Sequence, residues 1–206
     1  MGGAESVGSH DPPTEAWISF RGVVSRTSID TVAAIQDSVP DAPSAKHLEI
    51  VLGIDPGTRN VGYGAVVVGA RGPRLYAAGV LRARQSDVPT RLGQLRGELD
   101  LLLQRVKPTV VVVEAAFVAR SVSSALRIGE GRGVVLACAS GAGAKVVEYP
   151  PAVAKRALVG NGAADKTQVA RMVEHILGPK ARELPVDASD ALALALAYAQ
   201  RAKELR

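Results

Sequence analysis

The chain has 206 residues, room for one substantial domain, and a unit of about 150 residues buries roughly two-thirds of its unfolded surface. Hydrophobic residues make up 47% but aromatics only 3%, so the core must be built from Val, Leu, Ile and Ala. The single cysteine, Cys138, excludes an intramolecular disulfide and a Cys-based zinc cage, and no apolar run reaches the ~18 residues that span a membrane. Charge is uneven: residues 1–47 hold three basic and six acidic residues, a net −3, while 48–206 hold 22 basic and 14 acidic, a net +8, which suggests a polyanionic partner, with solubility as the alternative explanation.

Residues 1–47 read as an N-terminal extension, flexible or loosely docked, ahead of a folded domain at 48–206. Gly, Ser, Pro and Asp dominate its start, and Trp17-Ile18-Ser19-Phe20 and Val32-Ala33-Ala34-Ile35 are only short apolar patches. Six acids argue against a transit peptide, and a secretory signal would need a basic start and an apolar core. Met1-Gly2 with Ser6 fits a myristoylation pattern of a kind common by chance.

From residue 48 the elements alternate clearly. Leu48 to Asp55 is an apolar, β-branched strand closed by Pro56-Gly57. Val61 to Val68 follows closely enough to form a hairpin with it, and Leu75 to Leu81 makes a third strand after Gly72-Pro73. Leu92, Leu95, Leu99, Leu102, Leu103 and Val106 keep the helical period until Lys107-Pro108 stops it. Thr109 to Val113 is a β-branched run of the kind buried on both faces, ending at Glu114. Ser121 to Ala139 has helical period but contains Gly129, Gly131 and Gly133, each costing about 1 kcal/mol against alanine. Either the helix breaks there, or close approach to another surface offsets the cost. A strand at Lys145 to Tyr149, helices at about 151–158 and 165–177, and a last helix starting near Asp187 complete an α/β domain with a mixed sheet.

The chemistry lies at element ends. Asp55 and Glu114 each close an apolar strand, although a charge avoids apolar surroundings unless something compensates it. Asp187 and Asp190, three apart, share one face in the first turn of the last helix. Asp187 as an N-cap with Asp190 reaching back is the structural alternative. Taken together, four converging carboxylates repel one another unless a cation joins them. Oxygen-only ligands favour a hard ion, Mg²⁺ or Mn²⁺. An acidic pocket in a basic domain suits metal-assisted phosphodiester cleavage by two ions about 4 Å apart.

Three motifs in order, G-I-D-P-G-T-R-N-V-G-Y-G, V-V-V-E-A-A-F and D-A-S-D-A-L-A-L-A, resemble the RuvC family of bacterial Holliday junction resolvases, within the ribonuclease H-like nuclease superfamily. The resemblance covers about residues 50–200. It implies a ribonuclease H-like fold, a five-stranded mixed sheet flanked by helices. It also implies a homodimeric endonuclease that resolves four-way DNA junctions by paired symmetric nicks in homologous recombination and DNA repair. The expected cofactor is Mg²⁺, or Mn²⁺, with two ions per site. The expected setting is the bacterial cytoplasm and nucleoid, alongside a branch-migration complex of the RuvA and RuvB type, with no membrane partner.

By motif position, Asp55, Glu114, Asp187 and Asp190 would be the catalytic, metal-binding acids. Phe117 matches the aromatic that stacks on junction bases. Lys155 and Lys166 match two basic residues near the family's active site. Arg120, Arg127 and Arg132 lie in the stretch matching the dimer-forming helix, with Arg120 also a DNA-binding candidate, and this chain has G-E-G-R-G where other members have G-Q-A-R-G. Arg59, after the Pro-Gly turn, is expected to face the DNA backbone.

Other functions fit less well. An actin-like phosphotransferase needs a second related domain, for which there is no room. Gly160 to Thr167 invites comparison with a nucleotide P-loop, but Asp165 stands in place of the required glycine. A non-catalytic junction-binding module would not need all four acids, and a related nuclease acting on RNA is a further alternative.

Overall fold

The computed structural model of the chain describes residues 48–115 and 121–204. The expectations for residues 1–47, Phe117 and Arg120 lie outside the described residues.

β1 (Glu49–Asp55), β2 (Asn60–Gly69) and β3 (Gly72–Arg82) form an antiparallel meander. β4 (Val110–Glu114) runs parallel to β1, and β5 (Lys145–Tyr149) parallel to β4, giving the order β3-β2-β1-β4-β5. This is the five-stranded mixed sheet that was expected. Pro73 lies within β3 rather than in the turn before it, which is tolerated because β3 is an edge strand.

Helices cover both faces. α1 (Val88–Val106) and α2 (Val122–Gly141) share one core with Leu52, Ile54, Val111 and Val113. On the other face, α3 (Pro151–Val159), α4 (Lys166–Leu177) and α5 (Val186–Glu204) pack around Val51, Val66, Val110 and Val112. The central strands are therefore buried on both sides, as their unbroken apolar sequences require. Each fully buried Val or Leu contributes roughly 1.5–3 kcal/mol.

Three glycines seat α5 on the sheet. A Cβ on Gly53 would collide with the Ala191 carbonyl, one on Gly62 with the Asp187 carbonyl, and one on Gly64 with the Leu192 side chain. α5 presents Ala188, Ala191 and Ala195, all fully buried, to this face. Small residues on both sides let the helix backbone approach the strands, which brings the start of α5 beside the end of β1.

The glycines of α2 do not break it. Gly131 sits against the turn after Asp55, where its Cβ would come 2.7 Å from the Gly57 carbonyl oxygen, whereas Gly129 and Gly133 have nothing within 4 Å. Only one of the three is therefore explained by close packing. Arg132 is directed inward and pairs with Glu148 on β5 in the same chain.

Candidate active site

Parallel pairing of β1 with β4 matches Ile54 to Val113, so the next residues, Asp55 and Glu114, stand side by side at the carboxyl ends of the two central strands. Neither β-branched run continues past its acid. Pro56 ends β1, and the chain leaves the sheet after Glu114. Asp55 also pairs with Gly62, the residue against which the Asp187 backbone rests. α5 thus delivers Asp187 and Asp190 over the same strand ends.

Asp187 is not the helix cap. The Ser189 N–H donates to the Pro185 carbonyl at 3.0 Å, so the cap position belongs to Pro185 and Asp187 lies inside the first turn. The structural alternative for this pair therefore fails.

A cavity of about 280 Å³ is lined by Asp55, Glu114, Asp190, Lys155 and Lys166, with Pro151 on its wall. Lys166 Nζ donates to Asp190 Oδ2 at 2.7 Å and remains 72% exposed. Lys155 Nζ donates to the Ala164 carbonyl at 2.7 Å, which fixes its ammonium at the cavity edge. The loop before α4 ends in a capping box, with Gln168 N–H donating to Asp165 Oδ1 at 2.8 Å and Asp165 N–H donating to Gln168 Oε1 at 3.0 Å. This disposes of the P-loop likeness: a carboxylate of the chain itself takes the place a phosphate would need.

The acids act on one another strongly. Burial pushes the Asp55 carboxyl up from 3.8 to about 7, and Glu114, Asp190 and Asp187 add repulsion that Lys166 only partly offsets. Glu114 is also raised, first by burial, while a hydrogen bond with Asp55 pulls it back. Two adjacent buried carboxylates resist ionising together, so Asp55 holds its proton well above the usual carboxylate range. Lys166 is raised, chiefly by its bond to Asp190.

The donors suit a hard divalent cation: they are carboxylate oxygens, partly buried, with more negative charge than the neighbouring lysines balance. Their side chains are gathered but not closed into one coordination sphere, and among the described residues no three His, Cys, Asp or Glu side chains are grouped as ligands of one ion. Asp190 is drawn to Lys166 instead. The electrostatic coupling and the looser geometry are compatible, because repulsion reaches further than coordination bonds.

Of the other sequence candidates, Arg59 is exposed on the turn after Asp55 and does not line the cavity. Sequence reasoning missed Gly53, Gly62 and Gly64, which set the position of α5. The signal was their alternation along β1 and β2, small residues on one sheet face. A larger hollow of about 950 Å³ opens between α1 and α2 beside Arg96, Asp100, Lys107 and Cys138, away from this cluster. Burial first, then Asp100, pushes the Cys138 thiol up to about 11, so it is no nucleophile at neutral pH.

Comparison with known proteins agrees with the motifs. The family model described as crossover junction endodeoxyribonuclease RuvC matches residues 51–198. The RuvC of Chromohalobacter salexigens is 40% identical over 162 residues, spanning 76% of this chain and 84% of that protein. The RuvC of Solidesulfovibrio magneticus is 43% identical over 150 residues, 72% of this chain and 88% of that protein. The structure of Thermus thermophilus RuvC in complex with a Holliday junction substrate superposes with a TM-score of 0.70 at 39% identity, covering 77% of this chain and 96% of that one. The yeast mitochondrial Holliday junction resolvase Ydc2, only 15% identical, shares the fold with a TM-score of 0.60 over 75% of this chain and 81% of that one. From residues 51 to 198, this chain belongs to the RuvC family of crossover junction endodeoxyribonucleases.

Proposed function

We infer that this chain is a structure-selective endonuclease that resolves four-way DNA junctions by paired, symmetric, metal-assisted nicks. The observation that carries this reading is the meeting of Asp55, Glu114 and Asp190 around one cavity with Lys155 and Lys166 on its edge, with Asp187 one helical turn away on the same helix face.

Asp55, Glu114, Asp187 and Asp190 are the residues that would hold divalent cations, Mg²⁺ or Mn²⁺, two per site. Bound there, the ions would activate the attacking water and stabilise the leaving oxygen. The chain's own groups do the rest. A cation held there would replace the proton that burial and the neighbouring acids keep on Asp55. Lys166 Nζ, bonded to Asp190 and largely exposed, is placed to meet a non-bridging phosphate oxygen. Lys155, held by the Ala164 carbonyl, keeps a second positive charge beside the developing phosphorane. Phe117 and Arg120 are assigned to the junction bases and backbone by motif position alone.

Paired nicks need two sites related by symmetry. The first half of α2 offers the surface: Val122, Leu126 and Ile128 are 78%, 64% and 36% exposed. Three large apolar side chains on one exposed helical stretch fit an isologous contact with a second copy. A branch-migration complex of the RuvA and RuvB type is the proposed partner for the dimer on DNA.

The test is Mg²⁺-dependent cleavage of a mobile synthetic four-way junction, with both nicks mapped. Asp55→Asn should lower the cleavage rate by at least about 10²-fold while junction binding persists. An Asp55→Asn protein that cuts like the wild type would sink the reading.

A further inference from the structure

Strand register places an arginine beside the carboxylates that no motif singled out. Asp55 pairs with Gly62 and Gly62 with Val80, so these three form one row across β1, β2 and β3. Ala78 packs in the α5-side core, whereas Leu81 and Ala83 pack in the opposite one. By alternation, Val80 and Arg82 face the α5 side, the side of Gly53 and Asp55. Arg82 therefore shares a sheet face with the four acids, two residues beyond their row. With strands ~4.8 Å apart and a rise of ~3.4 Å per residue, its Cα lies about 12 Å from that of Asp55.

Arg59 adjoins it. Arg82 pairs with Asn60, and the Ala83 N–H donates to the Arg59 carbonyl at 2.8 Å. Both arginines are exposed, and neither takes part in an ion pair among the described residues. The backbone that carries Arg82 is fastened down. Gln94 accepts from the Arg84 N–H at 3.1 Å and donates to the Arg82 carbonyl at 3.3 Å. Arg91, only 4% exposed, donates through Nη1 to the carbonyls of Gln85 at 3.3 Å and Ser86 at 3.0 Å. Burying a guanidinium is costly, and here it is used to hold an exposed turn in one conformation.

We propose that Arg82 and Arg59 form a second phosphate-binding station, outside the cavity that Lys155 and Lys166 line. It rests on the nuclease reading above and adds to it a path for the DNA backbone: from Lys155 on α3 and Lys166 at the start of α4, past the acids at the strand ends, to the arginines beside β2 and β3. A separation of about 12 Å keeps this station within a few nucleotides of the scissile phosphate on the same stretch of backbone. The ligand is the sugar–phosphate backbone, so the contact is independent of sequence.

The experiment measures binding of a synthetic four-way junction, and of a plain duplex with one arm's sequence, between 50 and 200 mM salt without divalent metal. Each neutralised phosphate adds about 0.9 to the slope of log K against log[salt]. Arg82→Ala should lower affinity by roughly tenfold near 0.1 M salt and reduce the slope by about 1, and the Arg59→Ala/Arg82→Ala pair should reduce it by about 2. Arg82→Lys should keep the slope. Exposed substitutions of this kind change stability by no more than about 0.5 kcal/mol, so loss of folding will not mimic the effect. A double variant with an unchanged slope and an affinity within about twofold of wild type overturns the proposal. Because a backbone contact needs no junction, the duplex reports on this station even for a protein that fails to prefer or cut junctions, so the two readings fail separately.

Discussion

Asp55 carries the most testable electrostatics of any residue in the domain. The unfolded chain loses this proton near 3.8, while the folded chain keeps it to about 7 because of burial and then the neighbouring Glu114, Asp190 and Asp187. From about pH 4 to about pH 7 the folded state thus holds a proton that the unfolded state has shed, and metal-free stability should decline as pH rises through that window and level off above it. Asp55→Asn removes the conflict. Its metal-free melting midpoint at pH 8 should rise by about 2–4 °C, for roughly 1 kcal/mol of relieved repulsion. Added Mg²⁺ should stabilise the wild type more than the variant, because only the wild type retains the full ligand set. Melting curves in EDTA and in Mg²⁺ across pH check this, and a flat metal-free profile would contradict it. Asp55 and Glu114 stood out in sequence because each ends an apolar strand, where a charge needs compensation; Asp187 and Asp190 were less distinctive, because an acid in a first helical turn also has a structural use. The Lys166–Asp190 bond was not legible, because 24 residues separate the partners.

At the scale of elements, the fit of α5 on the sheet decides whether the acids meet. Gly53→Ala would drive a methyl group into the Ala191 backbone carbonyl, an obstacle that no rotamer change relieves. The expected loss is about 1–3 kcal/mol or more, seen as a lower urea midpoint with an unchanged slope. Cleavage should fall further than stability alone explains, because α5 also carries Asp187 and Asp190. Wild-type stability in this variant would show that the sheet yields. Element identities were largely legible: the β-branched run at β4 and the leucine period of α1 leave little choice. The fate of α2 was not, since Gly129, Gly131 and Gly133 look alike in sequence and only Gly131 meets another part of the chain.

For the whole molecule, a net +8 over residues 48–206 coexists with one acidic cavity that Lys155 and Lys166 also line, a balance that suits a polyanionic substrate beside a metal site. The proposed dimer is tested at this scale. Leu126→Glu puts a charge on the exposed apolar stretch of α2, where the side chain is 64% exposed. It should leave the monomer folded, shift sedimentation toward one copy, and replace paired nicks by single, uncoupled ones. An intact dimer in this variant would move the interface elsewhere.

Local chemistry along the chain was enough to order the strands and helices and to single out four acids at element ends, while the two lysines came from the family resemblance. Each of those inferences depends on a residue and its near neighbours, and a linear pattern records such relations directly. Convergence was a different matter. That Asp55 and Glu114 stand side by side follows from a parallel register between strands 59 residues apart, and that Asp187 and Asp190 reach them follows from three glycines beneath α5. The same register sets Arg82 on the acids' face. These relations arise when distant segments pack, and only the folded chain decides them, because side chains far apart in sequence share a surface only after the backbones between them have been placed.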